Sequence, residues 1–280
     1  PRQTRGEPSG KGVMMRVGIV GLGTIGRALC QAIDRGEVEV QLVGVATRHH
    51  ERAQPFLREL CHQPPLLSLD ELVSRSELVI EAATQEALEA IAPCTLRQGK
   101  DLMVLSVGGL LDHADWTALA RQTGSRILVP SGAIVGLDGI KGATIGHITS
   151  ITMTTRKPPK ALAGAPFVVE HQIDLDRFTE ATLIFEGSAR EACRGFPANV
   201  NIAAALSLAG IGADRTRLRI LVDPQGTRNV HDIEVVGEFG RFSIHLENEP
   251  SDTNPRTGKL TYLSTLATLK ALADPLKVGT

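Results

Sequence analysis

Val17-Gly-Ile-Val-Gly-Leu-Gly-Thr-Ile-Gly-Arg27 begins as a short apolar run, breaks into Gly21-x-Gly23-x-x-Gly26 and continues as a helical pattern. A strand that turns on glycines straight into a helix is the context in which this spacing binds a dinucleotide. Gly21 permits the tight turn, Gly23 admits a pyrophosphate close to the backbone, and Gly26 lets helix and strand pack closely. Thr24 and Ile25, between these glycines, are expected to bind the cofactor, and the N-terminus of the helix that follows offers amide N–H groups and a partial positive charge to phosphate.

Working outward, short strand-like runs rich in Val, Ile and Leu are expected at 16–20, 40–46, 78–82, 101–107 and 126–130. Helical patterns are expected between them at 26–35, 50–61, 69–74, 85–96 and 113–123. This alternation predicts an α/β fold, a Rossmann doubly wound parallel sheet over residues 15–136. Beyond Gly136 the pattern changes. A short helix at 137–145, strands at 147–156, 181–186, 217–222, 229–236 and 241–247, and a long helix at 190–208 are expected. Gly237-Glu-Phe-Gly240 reads as a hairpin turn. These segments predict a smaller α+β domain with an antiparallel or mixed sheet, residues 137–253, for substrate binding and oligomerisation. A helix at 257–273 carries Leu260, Leu263, Leu266, Leu269 and Leu272 at near-helical spacing, and residues 254–280 are expected to pack back on the nucleotide domain. Residues 1–14 are polar, without the apolar core of a secretory signal, and read as a disordered leader or tag.

The 280 residues carry a net charge of −1, with 42% hydrophobic and 3% aromatic content. A near-neutral chain with few aromatics has neither the basic field nor the stacking surface that nucleic acid requires. No apolar run reaches the roughly 20 residues that span a bilayer. Cys30, Cys61, Cys94 and Cys193 show no metal or disulfide spacing, so no metal site is expected, and they read as buried free thiols of a reducing cytoplasm.

The second strand ends Ala46-Thr47-Arg48 with no Asp or Glu at its tip, where an NAD-selective site usually holds the ribose 2′-hydroxyl. Thr47 can bond a ribose or a phosphate, and Arg48 can pair with a 2′-phosphate, which favours NADP or dual use. Ala82 and Ala83, small residues after the third strand, can lie against the cofactor.

Three further stretches narrow the reading: Pro130-Ser-Gly-Ala-Ile-Val-Gly-Leu-Asp138, Phe196-Pro-Ala-Asn-Val-Asn201, and Asn229-Val-His-Asp-Ile-Glu-Val235. In this order, with the glycine fingerprint, they resemble the L-aspartate dehydrogenase family over nearly the whole chain from Met15 to the final helix. The resemblance implies NAD(P)-dependent, reversible oxidative deamination of L-aspartate, linked to iminoaspartate and NAD biosynthesis. It implies that His231 is the catalytic residue, and that Ala133 and one amide of the Asn199/Asn201 pair contact the nicotinamide cofactor.

The residues support a histidine independently. Oxidising an amine to an imine and then adding water needs proton transfers near neutrality, the range of imidazole. In the strand at 229–236, alternation puts His231 on one face with Ile233 and Val235, toward an interior or cleft. His245 alternates toward water. The substrate's two carboxylates call for cationic or N–H donors. Arg156, Lys157, Lys141, Arg228 and Lys259 are candidates, and each also reads as a surface charge. Cys193, in a helical Arg-Glu-Ala-Cys-Arg run, is a poor nucleophile for a semialdehyde dehydrogenase. A dihydrodipicolinate-reductase-like imine reductase and a non-enzymatic NAD(P) sensor remain alternatives, and a homodimer is the expected assembly.

Overall fold

The computed structural model describes residues 14–197, 201–249 and 258–279. Two sheets of five strands organise them. The first contains β1 (Met15–Val20), β2 (Val40–Ala46), β3 (Leu78–Glu81), β4 (Asp101–Val104) and β5 (Ile127–Leu128). All pairings are parallel, in the order β2-β1-β3-β4-β5, so the order reverses between β1 and β3. Helices α1 (Thr24–Asp34), α2 (His50–Glu59), α3 (Leu69–Arg75), α4 (Gln85–Arg97) and α5 (Ala114–Thr123) connect these strands.

Period-two alternation divides the strand residues between two cores. Val17, Ile19, Ile80 and Met103 face Leu29 and Ile33 of α1 and Phe56 of α2. Val20, Val79, Leu102 and Val104 face Leu72 of α3, Leu88 and Ile91 of α4, and Trp116 of α5. The expected doubly wound fold is therefore present, with both faces covered.

The second sheet is mixed, with order β10-β9-β6-β8-β7. Its strands are β6 (Ile148–Lys157), β7 (Thr182–Ser188), β8 (Arg217–Val222), β9 (Asn229–Gly237) and β10 (Gly240–Asn248). Only β6 and β8 run parallel. The helices of this half are α6 (Leu137–Ala143), α7 (Pro159–Leu162), α8 (Pro166–Glu170), α9 (Ala189–Gly195) and α10 (Asn201–Ala209). They bury Ile140, Leu162, Phe196 and Leu206 against Ile151, Met153, Leu218 and Val235 of one sheet face. Gly237 pairs with Gly240, closing the expected two-residue hairpin.

Four sequence expectations are corrected. The long helix at 190–208 is two helices, because Phe196 leaves helical geometry (φ −139°) ahead of Pro197, which has no N–H to continue the ladder. The strand expected at 101–107 stops at Val104, and Val107–Leu110 forms a 3-10 turn. The final helix, α11 (Lys259–Ala273), packs on the core that holds α1 through Leu266, Leu269 and the partly buried Leu272 of its leucine series, while Leu263 is exposed. A three-residue step falls about 60° short of a full turn, so four such steps wind around the helix rather than lining one face. Of the four thiols, Cys30 and Cys193 are buried, but Cys61 is exposed beyond the end of α2, outside the helical stripe that would have buried it.

Candidate active site

The carboxyl ends of β1, β2 and β3 open into a cleft of about 890 Å³ at the strand-order reversal, where doubly wound sheets bind ligands. Gly21, Gly23, Thr47, Arg48, Ala82 and Ala83 all line it, joined by Arg27. Gly21 has φ +98°, and a Cβ on Gly26 would overlap the Gly21 carbonyl, so the turn needs both glycines. Ser68, Thr84 and Ser188 cap α3, α4 and α9 with their side chains, whereas α1 starts at Gly23 with no side-chain cap and no acid in its first turn. That leaves the eleven-residue helix ready for an anion, and Thr24 begins it. Thr47 Oγ1 accepts from the His49 amide at 3.3 Å, while Arg48 is exposed at the rim. Arg27 is held in place by its Nε on the Leu22 carbonyl and by its guanidinium over the Phe56 ring, 4.7 Å from the centroid. These features fit a dinucleotide.

Glu81, at the end of β3, was not singled out by sequence. It is fully buried and accepts from Ala83 N (2.7 Å), Leu105 N (3.2 Å), Ser106 N (2.9 Å) and Ser106 Oγ (2.9 Å). Burial raises its carboxyl above the usual range, against the pull of these donors. Bonded to Ala83 on one side and Ser106 on the other, it pins together the loops that follow β3 and β4.

A second, inner pocket of about 130 Å³ lies where the first sheet meets the covered face of the second. Ile25, Ala133, Asn201 and His231 all line it, so four of the expected residues meet here. Asn199 lies outside the described residues. Asn201 Oδ1 accepts from Gly108 N at 3.2 Å, tying α10 to the 3-10 turn after β4. Asn248 Nδ2 donates to the Ala133 carbonyl at 3.0 Å and fixes that loop against β10.

The second sheet builds the floor of this pocket in rows. His231 on β9 stands opposite Thr155 on β6 and Leu246 on β10. One step nearer the strand end, Asn229 stands opposite Asn248 and accepts from Lys157 Nζ at 3.4 Å. The pattern thus turns from aliphatic (Met153, Ile233, Ile244) to polar within two residues. His231 is 2% exposed, on the same face as Ile233 and Val235 as expected, and its Nδ1 has no partner. Thr155 Oγ1, opposite, is also buried and unpartnered. Burial first, then the Lys157 charge, push the imidazole down to about 3, with Asp232 opposing.

Lys157 corrects the reading of it as a surface charge. The strand runs one residue past its expected end, which brings Lys157 onto the buried face, 4% exposed and lining the pocket. Burial alone pushes its ammonium down to about 8. Two of the other candidate cations lie elsewhere: Arg156 pairs with Asp232 at 3.1 Å on the opposite face, and Arg228 pairs with Glu247 and Glu249. His245 is exposed and bonds Asp232 at 2.6 Å. Burial pushes the Cys193 thiol up to about 12, which removes it as a nucleophile.

Comparison with known proteins matches residues 138–272 to a family described as aspartate dehydrogenase, C-terminal, and residues 21–130 to one described as homoserine dehydrogenase, NAD binding domain. The chain is 46% identical over 271 residues to an L-aspartate dehydrogenase of Methanococcoides burtonii, covering 95% of this chain and 100% of that one. It is 48% identical over 266 residues to an L-aspartate dehydrogenase of Bradyrhizobium diazoefficiens, covering 95% and 94%. Its fold is shared with an aspartate dehydrogenase structure from Thermotoga maritima, with TM-score 0.74, 24% identity, and coverage of 95% and 100%.

Proposed function

The chain belongs to the L-aspartate dehydrogenase family, and from that premise we propose that it deaminates L-aspartate oxidatively with His231 as acid and base. It is an NAD(P)-dependent oxidoreductase acting on a small molecule, and among the described residues no helix is long and apolar enough to cross a membrane. The observation that carries the histidine assignment is its position: buried, lining the inner pocket, with Nδ1 unpartnered.

NAD(P), when bound, supplies the two-electron acceptor for oxidation at the substrate's Cα. The uncapped start of α1 and the turn at Gly21–Gly23 hold its phosphates, Arg48 and Thr47 meet the adenosine ribose, and Ala133 and the NH₂ of Asn201 or Asn199 position its reacting end. His231, neutral at working pH, takes a proton from the substrate nitrogen or from the water that replaces it, and returns a proton when ammonia leaves. The family match favours this chemistry over cyclic-imine reduction or cofactor sensing.

We divide the labour as follows: residues 15–136 bind dinucleotide, 137–253 carry substrate and assembly surfaces, and 254–280 return to the first unit. A homodimer is in keeping with exposed Leu183 and Phe239 on the second half, and four free thiols favour a cytoplasmic setting. A substrate screen with both cofactors tests the main reading. L-Aspartate, but not glutamate or alanine, should drive NAD(P) reduction at alkaline pH. His231→Ala should lose most turnover while still binding cofactor. A robust signal from a cyclic imine with none from aspartate would reject it.

A further inference from the structure

Among the described residues, Lys157 is a buried cation without a counter-ion. Among the described residues the inner pocket is lined by asparagines (Asn201, Asn229, Asn248), Ser131, Thr261 and His231, but by no Asp or Glu, and Lys157 is the one lysine or arginine of that described lining. Its one bond, to Asn229 Oδ1, is long at 3.4 Å. A buried ammonium is costly unless an anion meets it. Beside it, on the same sheet face, two polar atoms (His231 Nδ1 and Thr155 Oγ1) are buried and unpartnered. A lone cation, unsatisfied polar atoms and no acid describe a receptor for a small anion.

We propose that Lys157 is the receptor for a substrate carboxylate, and that seating this carboxylate readies His231 as a base by cancelling the cation beside it. The proposal rests on the aspartate reading for the identity of the anion, but its geometry does not. The groups facing Lys157 are Asn229 from β9 and Val222 from β8, and His231 is the other titratable residue lining the pocket. Asp232 and Arg156, bonded to each other, lie on the opposite face. In the ligand-free site the Lys157 charge adds to burial in holding the imidazole unprotonated. A bound carboxylate removes the charge contribution and leaves burial, the larger of the two, opposed by Asp232, so the basicity of His231 rises in part when substrate is seated. Orientation follows as well: a carboxylate on Lys157 sits one row along the sheet from His231, which places the carbon chain across the histidine.

The test is direct binding of succinate, a dicarboxylate with no amine to oxidise, to the NADH complex by calorimetry, over pH 6–10. Wild-type affinity should hold below about pH 8 and then fall by up to about tenfold per pH unit as Lys157 loses its proton. Lys157→Met should bind succinate about ten- to a hundredfold more weakly at pH 7, with no such pH dependence, while NADH affinity stays unchanged. Lys157→Gln, a polar replacement, should behave as Lys157→Met does. Wild-type-like succinate affinity in both variants, no measurable succinate binding by wild type, or a flat wild-type profile would overturn the inference. If the enzyme fails to oxidise aspartate yet binds succinate through Lys157, the functional reading falls and the receptor stands. If it oxidises aspartate with an unchanged KM in Lys157→Met, the receptor falls alone.

Discussion

Replacing Lys157 with Met should make the protein more stable at neutral pH and no more stable in strong alkali. The displacement of its ammonium from 10.5 to about 8 corresponds to about 3 kcal/mol of unfavourable folding energy when the group is charged. Below pH 8 both folded and unfolded chains hold the proton, so this cost is fully present. Between pH 8 and 10.5 only the unfolded chain holds it, so wild-type stability rises with pH, and above 10.5 the cost is gone. Methionine removes the charge and keeps most of the volume. It also strands Asn229 Oδ1, at a cost of about 1 kcal/mol. The net gain at pH 7 is about 2 kcal/mol, or an increase in Tm of about 4–6 °C for a chain of this size. The assay is thermal unfolding of the apo-protein at pH 7 and pH 10.5, in buffers free of carboxylate and phosphate, which would occupy the site. An equal Tm offset at both pH values, or a lower Tm for the variant at pH 7, would refute the claim that an uncompensated charge is buried there.

Other perturbations probe the cofactor side. Gly26→Ala puts a methyl into the Gly21 carbonyl and should cost about 1–3 kcal/mol in a melt, along with most NAD(P) affinity; retained affinity by fluorescence titration would show that the turn can yield. Glu81→Gln turns one acceptor oxygen into a donor facing other donors. A stability loss of about 1–3 kcal/mol and a raised cofactor KM are expected, and an unchanged KM would mean that the Ala83 and Ser106 loops keep their places without the carboxylate. Arg48→Asp should weaken NADP about tenfold or more while affecting NAD less, and equal effects would remove Arg48 from the 2′-phosphate.

The readable parts of the chain were those set by local pattern. The first sheet's strands are short apolar runs, Gly21–Gly26 sits at a required turn, and alternation alone oriented His231. Residues whose surroundings come from distant segments were not readable in this way. Glu81 is held by donors 24 and 25 residues away, and one acid at the end of an apolar strand carries no sign of them. Lys157 becomes a pocket residue through the register of β6 with β9, which delivers Asn229 to it, and of β9 with β10, which sets Asn248 opposite Asn229. The helix break at Phe196-Pro197 was marked by proline, but helix-forming residues on both sides (Arg190–Arg194 and Ile202–Leu206) masked it.

The docking of Leu266 and Leu269 on α1 sets an order of assembly during synthesis. The second sheet is complete once Asn248 has been made, and its core draws on residues from 107 to 246. The core beneath the glycine turn, though begun at residue 15, waits for Leu269. On a ribosome, the second sheet can therefore close while the earlier-made core of the first sheet still has an uncovered flank. Until the last helix arrives, that apolar flank is what a chaperone would meet.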